Sequence, residues 1–269
     1  MKYAVLSDIH ANSDAFAAVL QRCAGLGVDK YLFLGDLVGY NADPVRCVAM
    51  AREVGFLASV RGNHDEFTIS GNTELAGFNA NATLAIQWTR QQLSEDDLDY
   101  LDAMPLKAVV PGTAISLVHA TLDSPDTWGY VFDSHHAVGN FTYQRTQICF
   151  CGHSHVPVAF DKAPFAVGRR LVEPIAEWEN NFYYPEADEN FSLSDELPVK
   201  LEKGHKYLFN IGSIGQPRNS DPRASFAVYD DEAQTVSRYR VPYNIAAAQE
   251  KILAAGLPER LAWRIGVGK

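Results

Sequence analysis

Leu57-Ala58-Ser59-Val60-Arg61-Gly62-Asn63-His64-Asp65 opens as a short apolar strand, bends at a glycine, and ends in three side chains rich in oxygen and nitrogen donors. The same pattern recurs on both sides of it. Residues 3–7 read as a buried strand leading into Asp8-Ile9-His10, and Tyr31–Leu34 reads as a strand ending in Gly35-Asp36. Downstream, Ile115–Val118 precedes His119, and Gln147–Cys151 precedes Gly152-His153-Ser154-His155. Strand ends converge at one edge of a sheet. Five motifs far apart in the chain are therefore expected to meet, and they hold five of its eight histidines.

The segments between these strands carry helix signals. Residues 14–25 place Ala15, Val19 and Leu20 at helical spacing, with Ser13 as a cap. Pro44 sits near the first turn of a helix running to Glu53. A helical region covers 75–92, and Ser94-Glu95-Asp96-Asp97 resembles a capping box opening a helix that Pro105 ends. A polar loop region spans 121–146. Residues 206–211, 225–230 and 236–241 read as further strands, and Ile245–Ala255 as a closing helix. Strand–helix alternation followed by a strand-rich half predicts an α/β fold of stacked sheets flanked by helices.

The 269 residues are 47% hydrophobic and 21% charged, enough to bury a sizeable core. Lys and Arg number 23 against 33 Asp and Glu, a net charge of −10 that disfavours general nucleic-acid binding and anionic membranes. A small phosphate substrate stays compatible, because bound cations reverse the local field. The N-terminus lacks the apolar core of a signal peptide, and no stretch reaches the length of a membrane span. Cys23, Cys47, Cys149 and Cys151 lack zinc-finger spacing. They read as reduced thiols in a cytoplasmic protein, with Cys149 and Cys151 buried. Residues 173–203 carry nine acidic side chains against Lys200 and Lys203, together with Trp178, Phe182, Tyr183, Tyr184 and Phe191. They predict an acidic insertion at about 165–205 on a single domain spanning 1–269. It reads as a solvated excursion pinned by its aromatics, or as a lid or dimer contact.

Asp, His and Asn supply the donors that first-row divalent metals prefer. Asp8 and His10, one residue apart, share a strand face and can chelate one ion. His153 and His155 share that spacing, although a turn can direct them to different ions. The two carboxylate oxygens of Asp36 can bridge a pair of metals, and Asn63 offers a neutral carbonyl oxygen. Two ions about 3.5–4 Å apart ready a water for attack on phosphorus and stabilise charge in the in-line transition state. His64, beside Asn63, is placed to protonate the leaving alkoxide, and Asp65 to hold its imidazole in the working tautomer.

In this order, Asp8-x-His10, Gly35-Asp36, Gly62-Asn63-His64-Asp65, His119 and Gly152-His153-x-His155 resemble the calcineurin-like metallophosphoesterase superfamily over residues 1–160. Asn210-Ile211-Gly212-Ser213-Ile214-Gly215-Gln216-Pro217-Arg218 resembles the Asn-x-Gly-Ser segment of its small bacterial phosphodiesterase branch, which includes proteins resembling diadenosine tetraphosphatases. Ala11 departs from the glycine many relatives carry, outside the ligand set. The resemblance implies a four-layer αββα sandwich of two mixed β-sheets flanked by helices. It also implies two divalent metal ions drawn from manganese, iron, zinc or nickel, with manganese preferred. By the same resemblance Asp8, His10, Asp36 and His155 hold one ion, Asp36, Asn63, His119 and His153 the other, and His64 is the acid.

Other residues carry two readings each. Arg218 contacts a substrate phosphate or makes a surface salt bridge. His135 and His136 line a substrate site in the loop after residue 121, or open an exposed helix after Ser134. Tyr40 lines the cleft or packs beside the Gly35 loop, and packing is the preferred reading. The expected function is hydrolysis of a small phosphodiester, nucleotide or dinucleoside polyphosphate. A protein serine/threonine phosphatase is the alternative enzyme, which an open groove favours. A non-catalytic metal-binding scaffold is the alternative of another class, which the full ligand set and His64 disfavour. A homo-oligomer is compatible with the sequence.

Overall fold

Alternating side chains along each strand give the architecture its layers. In β1 (Lys2–Leu6), Tyr3 and Val5 face one way and Ala4 and Leu6 the other. In β11 (Ala224–Asp230), Ala227 and Tyr229 join the first set, and Phe226 and Val228 the second. β6 (Ile148–Cys151) and β10 (Lys206–Asn210) split in the same manner: Ile148, Phe150, Tyr207 and Phe209 point inward, while Cys149, Cys151 and Leu208 point outward. The inward sets form one core between two sheets. The outward sets pack under helices: α1 (Ser13–Leu26), α2 (Pro44–Val54) and α5 (Glu95–Asp102) cover one sheet, and α6 (Ser134–Tyr143) covers the other. The result is the αββα sandwich.

The structure is a computed structural model that describes residues 1–71, 78–164, 171–179 and 197–269. With β2 (Lys30–Phe33), β3 (Ala58–Ser59), β9 (Leu197–Lys200) and β12 (Thr235–Val241), the first sheet has the order β3-β2-β1-β11-β12-β9. With β4 (Lys107–Val109), β5 (Ile115–Val118), β7 (Val158–Lys162) and β8 (Val172–Pro174), the second runs β4-β5-β6-β10-β7-β8. Both are mixed. β1, β2 and β3 run parallel, with Val5 opposite Leu32, while β1 and β11 are antiparallel, with Val5 opposite Ala227. β5, β6 and β10 run parallel in the second sheet. Both halves of the chain contribute to both sheets.

Several local expectations shift. Asn12, not Ser13, caps α1: its side chain accepts from the Ala15 amide at 3.1 Å. The strand at 57–60 is a two-residue pairing, because the chain turns at once into α3 (Asn63–Ser70). The helix expected over 75–92 is described as α4 (Ala80–Gln92), capped by Asn79; residues 75–77 lie outside the described residues. The loop over 121–146 contains a 3-10 turn at Pro125–Thr127 and then α6, whose cap Asp133 accepts from the His136 amide. A second C-terminal helix, α9 (Glu259–Val267), follows α8 (Ile245–Ala254).

The acidic segment is described only at its flanks, where β8, α7 (Ala176–Glu179) and β9 belong to the sandwich. Trp178 is buried in the inter-sheet core and donates its indole N–H to the Asn210 carbonyl at 2.9 Å. The acidic run through 180–196, with Phe182, Tyr183, Tyr184 and Phe191, lies outside the described residues. All four cysteines are free and buried, and burial pushes the Cys149 thiol up to about 12.

Candidate metal centre

Each of the five motifs follows a strand of the parallel blocks, and the structure gathers them at that edge of the sandwich. Asp8, His10, Asp36 and His155 each offer a ligand atom within 4.8 Å of the others, and Asp36, His119 and His153 form a second such group. Asp36 belongs to both. All six are buried. Asn63 joins the second group through its Oδ1, 3.1 Å from His119 Nε2.

Backbone carbonyls set the direction of each imidazole. His10 Nδ1 lies 3.1 Å from the Val38 oxygen, His119 Nδ1 2.8 Å from the Leu34 oxygen, and His155 Nδ1 2.6 Å from the Gln216 oxygen. A proton on each Nδ1 leaves Nε2 as a lone-pair donor facing the centre. His153 is turned round: its Nε2 meets the Trp128 oxygen at 2.9 Å, which leaves Nδ1 for a cation. The two facing nitrogens His10 Nε2 and His155 Nε2 stand 3.1 Å apart.

The loops reach this arrangement through unusual backbone. Asp8, His10, Asp36, His153 and His155 all have left-handed φ, from 49° to 68°. Such residues typically cost about 1–3 kcal/mol each and persist where the surrounding structure over-determines them. Two close approaches brace them. A Cβ on Gly62 would overlap the Asp36 carboxylate, and one on Gly152 would overlap Ser7 and Asp8. The segment after β10 adds support, with Ser213 donating to the Asp8 carbonyl at 2.8 Å and Asn210 to the Gly152 carbonyl at 2.6 Å.

Burial raises Asp8 to about 7, although His119 opposes it. Burial disfavours the charged form of His119, but the Asp36 carboxylate outweighs it and lifts His119 to about 9. His64 packs between His10, Tyr40 and Phe78. Burial foremost pushes it down to about 4, against the pull of Asp36. Its Nδ1 is buried against Gly39 and has no hydrogen-bond partner among the described residues.

Asp65 corrects an expectation. Its carboxylate accepts from the backbone amides of Asp36, Leu37, Val38 and Gly62 at 2.8–3.3 Å. It clamps the loop after β2 to the start of α3 and makes no hydrogen bond to the His64 ring. His135 and His136 are also separated from the centre. They lie on the exposed first turn of α6, where His136 pairs with Asp133 at 2.7 Å, and they line a different cavity that shares Tyr130 with the cleft.

Above the centre is a polar cleft of about 140 Å³. Arg218 lines it and donates to the Tyr40 hydroxyl at 3.1 Å; among the described residues it pairs with no carboxylate, so the surface salt bridge is not found. Tyr40 lines the cleft as well as packing on His10 and His64. Phe78, Tyr130 and Arg264 also line it, and no motif in the sequence marks them. Tyr130 stacks on His153 with ring centres 4.3 Å apart.

Strand-end carboxylates and imidazoles on an αββα sandwich define a metal-dependent phosphoesterase. Residues 1–174 match the calcineurin-like phosphoesterase superfamily domain, and the chain belongs to that family. It is similar to the crystal structure of a metallophosphoesterase from Sphaerobacter thermophilus, at 34% identity and a TM-score of 0.80, covering 100% of this chain and 99% of that one. An uncharacterized protein of Methanocaldococcus jannaschii is 33% identical over 268 residues, 99% of this chain and 98% of that protein. A hypothetical protein of Pyrococcus horikoshii shares the fold at 17% identity, with a TM-score of 0.73 and coverage of 100% and 98%.

The family implies divalent cations, and the residues present fit them. Asp36 Oδ2 is buried and has no hydrogen-bond partner among the described residues, 3.5 Å from His10 Nε2 and 3.3 Å from His119 Nε2. The donors are oxygen and nitrogen only, the chemistry of first-row divalent ions.

Proposed function

We propose that this protein hydrolyses a small phosphodiester, nucleotide or pyrophosphate ester with two divalent cations. Asp8, His10, Asp36 and His155 hold one, and Asp36, Asn63, His119 and His153 the other. The observation that carries this reading is Asp36: one oxygen is fixed by a backbone amide, while the other is buried, has no hydrogen-bond partner among the described residues, and lies 3.5 Å from His10 Nε2 of one group and 3.3 Å from His119 Nε2 of the other. When bound, the cations supply Lewis acidity at phosphorus and a water readied for attack.

The chain's own residues do the remaining work. The carbonyl-anchored imidazoles keep their donor nitrogens aimed without reorganisation. Arg218 offers donors to a phosphate oxygen. His64 is the proposed proton donor to the leaving oxygen. A resting ring pushed down to about 4 carries no proton at neutral pH, so this role requires the substrate's negative charge to raise it. A narrow cleft walled by Tyr40, Phe78 and Tyr130 suits a small ester better than a phosphoprotein loop. Manganese is the proposed metal on the carboxylate and carbonyl donors, beside iron, zinc or nickel, which the four imidazoles suit. Free, buried cysteines accord with a cytoplasmic location.

Dialysed protein supplemented with manganese is assayed against p-nitrophenyl phosphate and its bis ester. Turnover of either supports the reading; bound metal with no turnover of either favours a scaffold.

A further inference from the structure

One wall of the cleft has no part in holding metal. Arg218, from the turn after β10, and Arg264, from α9, stand on it. Their guanidinium carbons lie 5.6 Å and 5.9 Å from the centre of the same Tyr40 ring. That ring also touches His10 and His64, with centres 4.7 Å and 4.3 Å away, so it spaces both cations from the candidate centre.

Among the described residues neither arginine pairs with an Asp or Glu side chain. Arg218 donates to Tyr40 and Gln216, and its Nε is buried without a partner. Arg264 donates from Nε at 2.6 Å to the main-chain oxygen of Lys269, the last residue of the sequence. Burial and the neighbouring Arg218 both hold Arg264 below its ordinary value. Two like charges held close together favour an anion that joins them. In a chain of net charge −10 this is a local reversal of field.

The groove continues past Arg264. A cavity of about 550 Å³ shares Asn79 and Arg264 with the first and is lined by Arg260, Trp263 and Lys269. Trp263 is 48% exposed, with the Arg260 guanidinium 5.7 Å from its ring centre. An exposed indole beside a cationic wall offers a stacking face to a planar ring.

We propose that Arg218 and Arg264 form a subsite for a second phosphate, and that the substrate class is a nucleoside di- or oligophosphate whose base lies towards Trp263. This rests on the phosphoesterase reading of the same site. Water's oxygen bonds to the phosphorus beside Asp36, and the bridging P–O bond breaks. The electron pair leaves on the oxygen of the second phosphate, which takes the proton proposed for His64 while the two guanidiniums hold its remaining charge, and the proton lost by water restores that of His64.

The test uses the manganese-loaded full chain. Calorimetry compares inorganic phosphate, methylenediphosphonate and a nucleoside diphosphate analogue with a methylene bridge. Wild type is expected to bind the diphosphonate about tenfold or more tighter than phosphate, and Arg264→Gln to narrow that ratio to about twofold. Arg218→Gln carries the same readout if Arg264→Gln loses helix content. Trp263→Ala, at an exposed position, is expected to weaken the nucleoside analogue more than the diphosphonate. Equal binding of phosphate and diphosphonate by wild type, or equal weakening of both in the arginine variants, overturns the subsite. Trp263→Ala weakening both diphosphates alike overturns the base contact. Absent turnover of p-nitrophenyl phosphate and its bis ester by the same loaded protein overturns the hydrolase reading instead.

Discussion

The amide of His64 donates to Asp36 Oδ1 at 2.8 Å, so the residue proposed to protonate the leaving group also fixes the carboxylate proposed to bridge the metals. The bond uses backbone on one side only. Changing the His64 side chain therefore leaves Asp36 anchored, and the two roles separate by mutation.

Asp36→Asn is expected to lose metal from both groups, because it removes charge from the carboxylate they share. Metal content should fall below one ion per chain, and kcat/KM by at least about a hundred-fold. Elemental analysis after gel filtration reads the first. Full content with full activity would exclude the bridge.

His64→Ala is expected to keep both metals and slow turnover about a hundred- to ten-thousand-fold for esters of poor leaving groups, with a much smaller loss for p-nitrophenyl esters. A series of aryl and alkyl esters gives the slope. A loss independent of leaving group would remove His64 from the acid role.

Metal binding to stripped protein should tighten as pH rises and should release protons. His119, held up to about 9, must lose its proton to bind, and so must the fraction of Asp8, raised to about 7, that remains protonated. Both folded-state values exceed the ordinary ones, so protons compete with the cations most strongly below neutrality and progressively less as pH rises through about 9. At pH 7 about one to two protons should leave per chain loaded, as read by calorimetry in buffers of different ionisation heat. Affinity unchanged from about pH 6 to about pH 9 would contradict this.

Asp65→Ala is expected to destabilise the fold by about 3 kcal/mol or more, since it strips the acceptor from four buried amides. Thermal melting reads the loss. The leaving-group slope of the surviving activity should match wild type, because the carboxylate does not touch the His64 ring. A changed slope would restore Asp65 to the acid.

Gly152→Ala and Gly139→Ala should diverge. A methyl at 152 meets Ser7 and Asp8, whereas one at 139, inside α6, meets nothing within 4 Å. The first should cost metal as well as stability. The second should raise stability by about 0.5–1 kcal/mol, through a less disordered unfolded chain. Equal melting shifts would show that the Gly152 approach is not tight.

The layered α/β class and the seven gathered donors were legible in the chain, because strand period and strand-end chemistry are local properties. Asp8-Ile9-His10 looks the same in a sequence as it does at the end of β1. What lay beyond the sequence was every relationship of direction. Asp65 sits beside His64 in the chain, yet α3 turns its carboxylate back onto the loop after β2. His135 and His136 are good ligands in isolation, but the helix that begins at Ser134 carries them to another face. Arg264 reaches the cleft from the far end of the chain because α9 packs beside Tyr40, across a separation with no periodic trace. Sequence specifies which donors a strand end presents. Packing decides which way they face and what stands opposite, because that depends on contacts between elements that no single segment encodes.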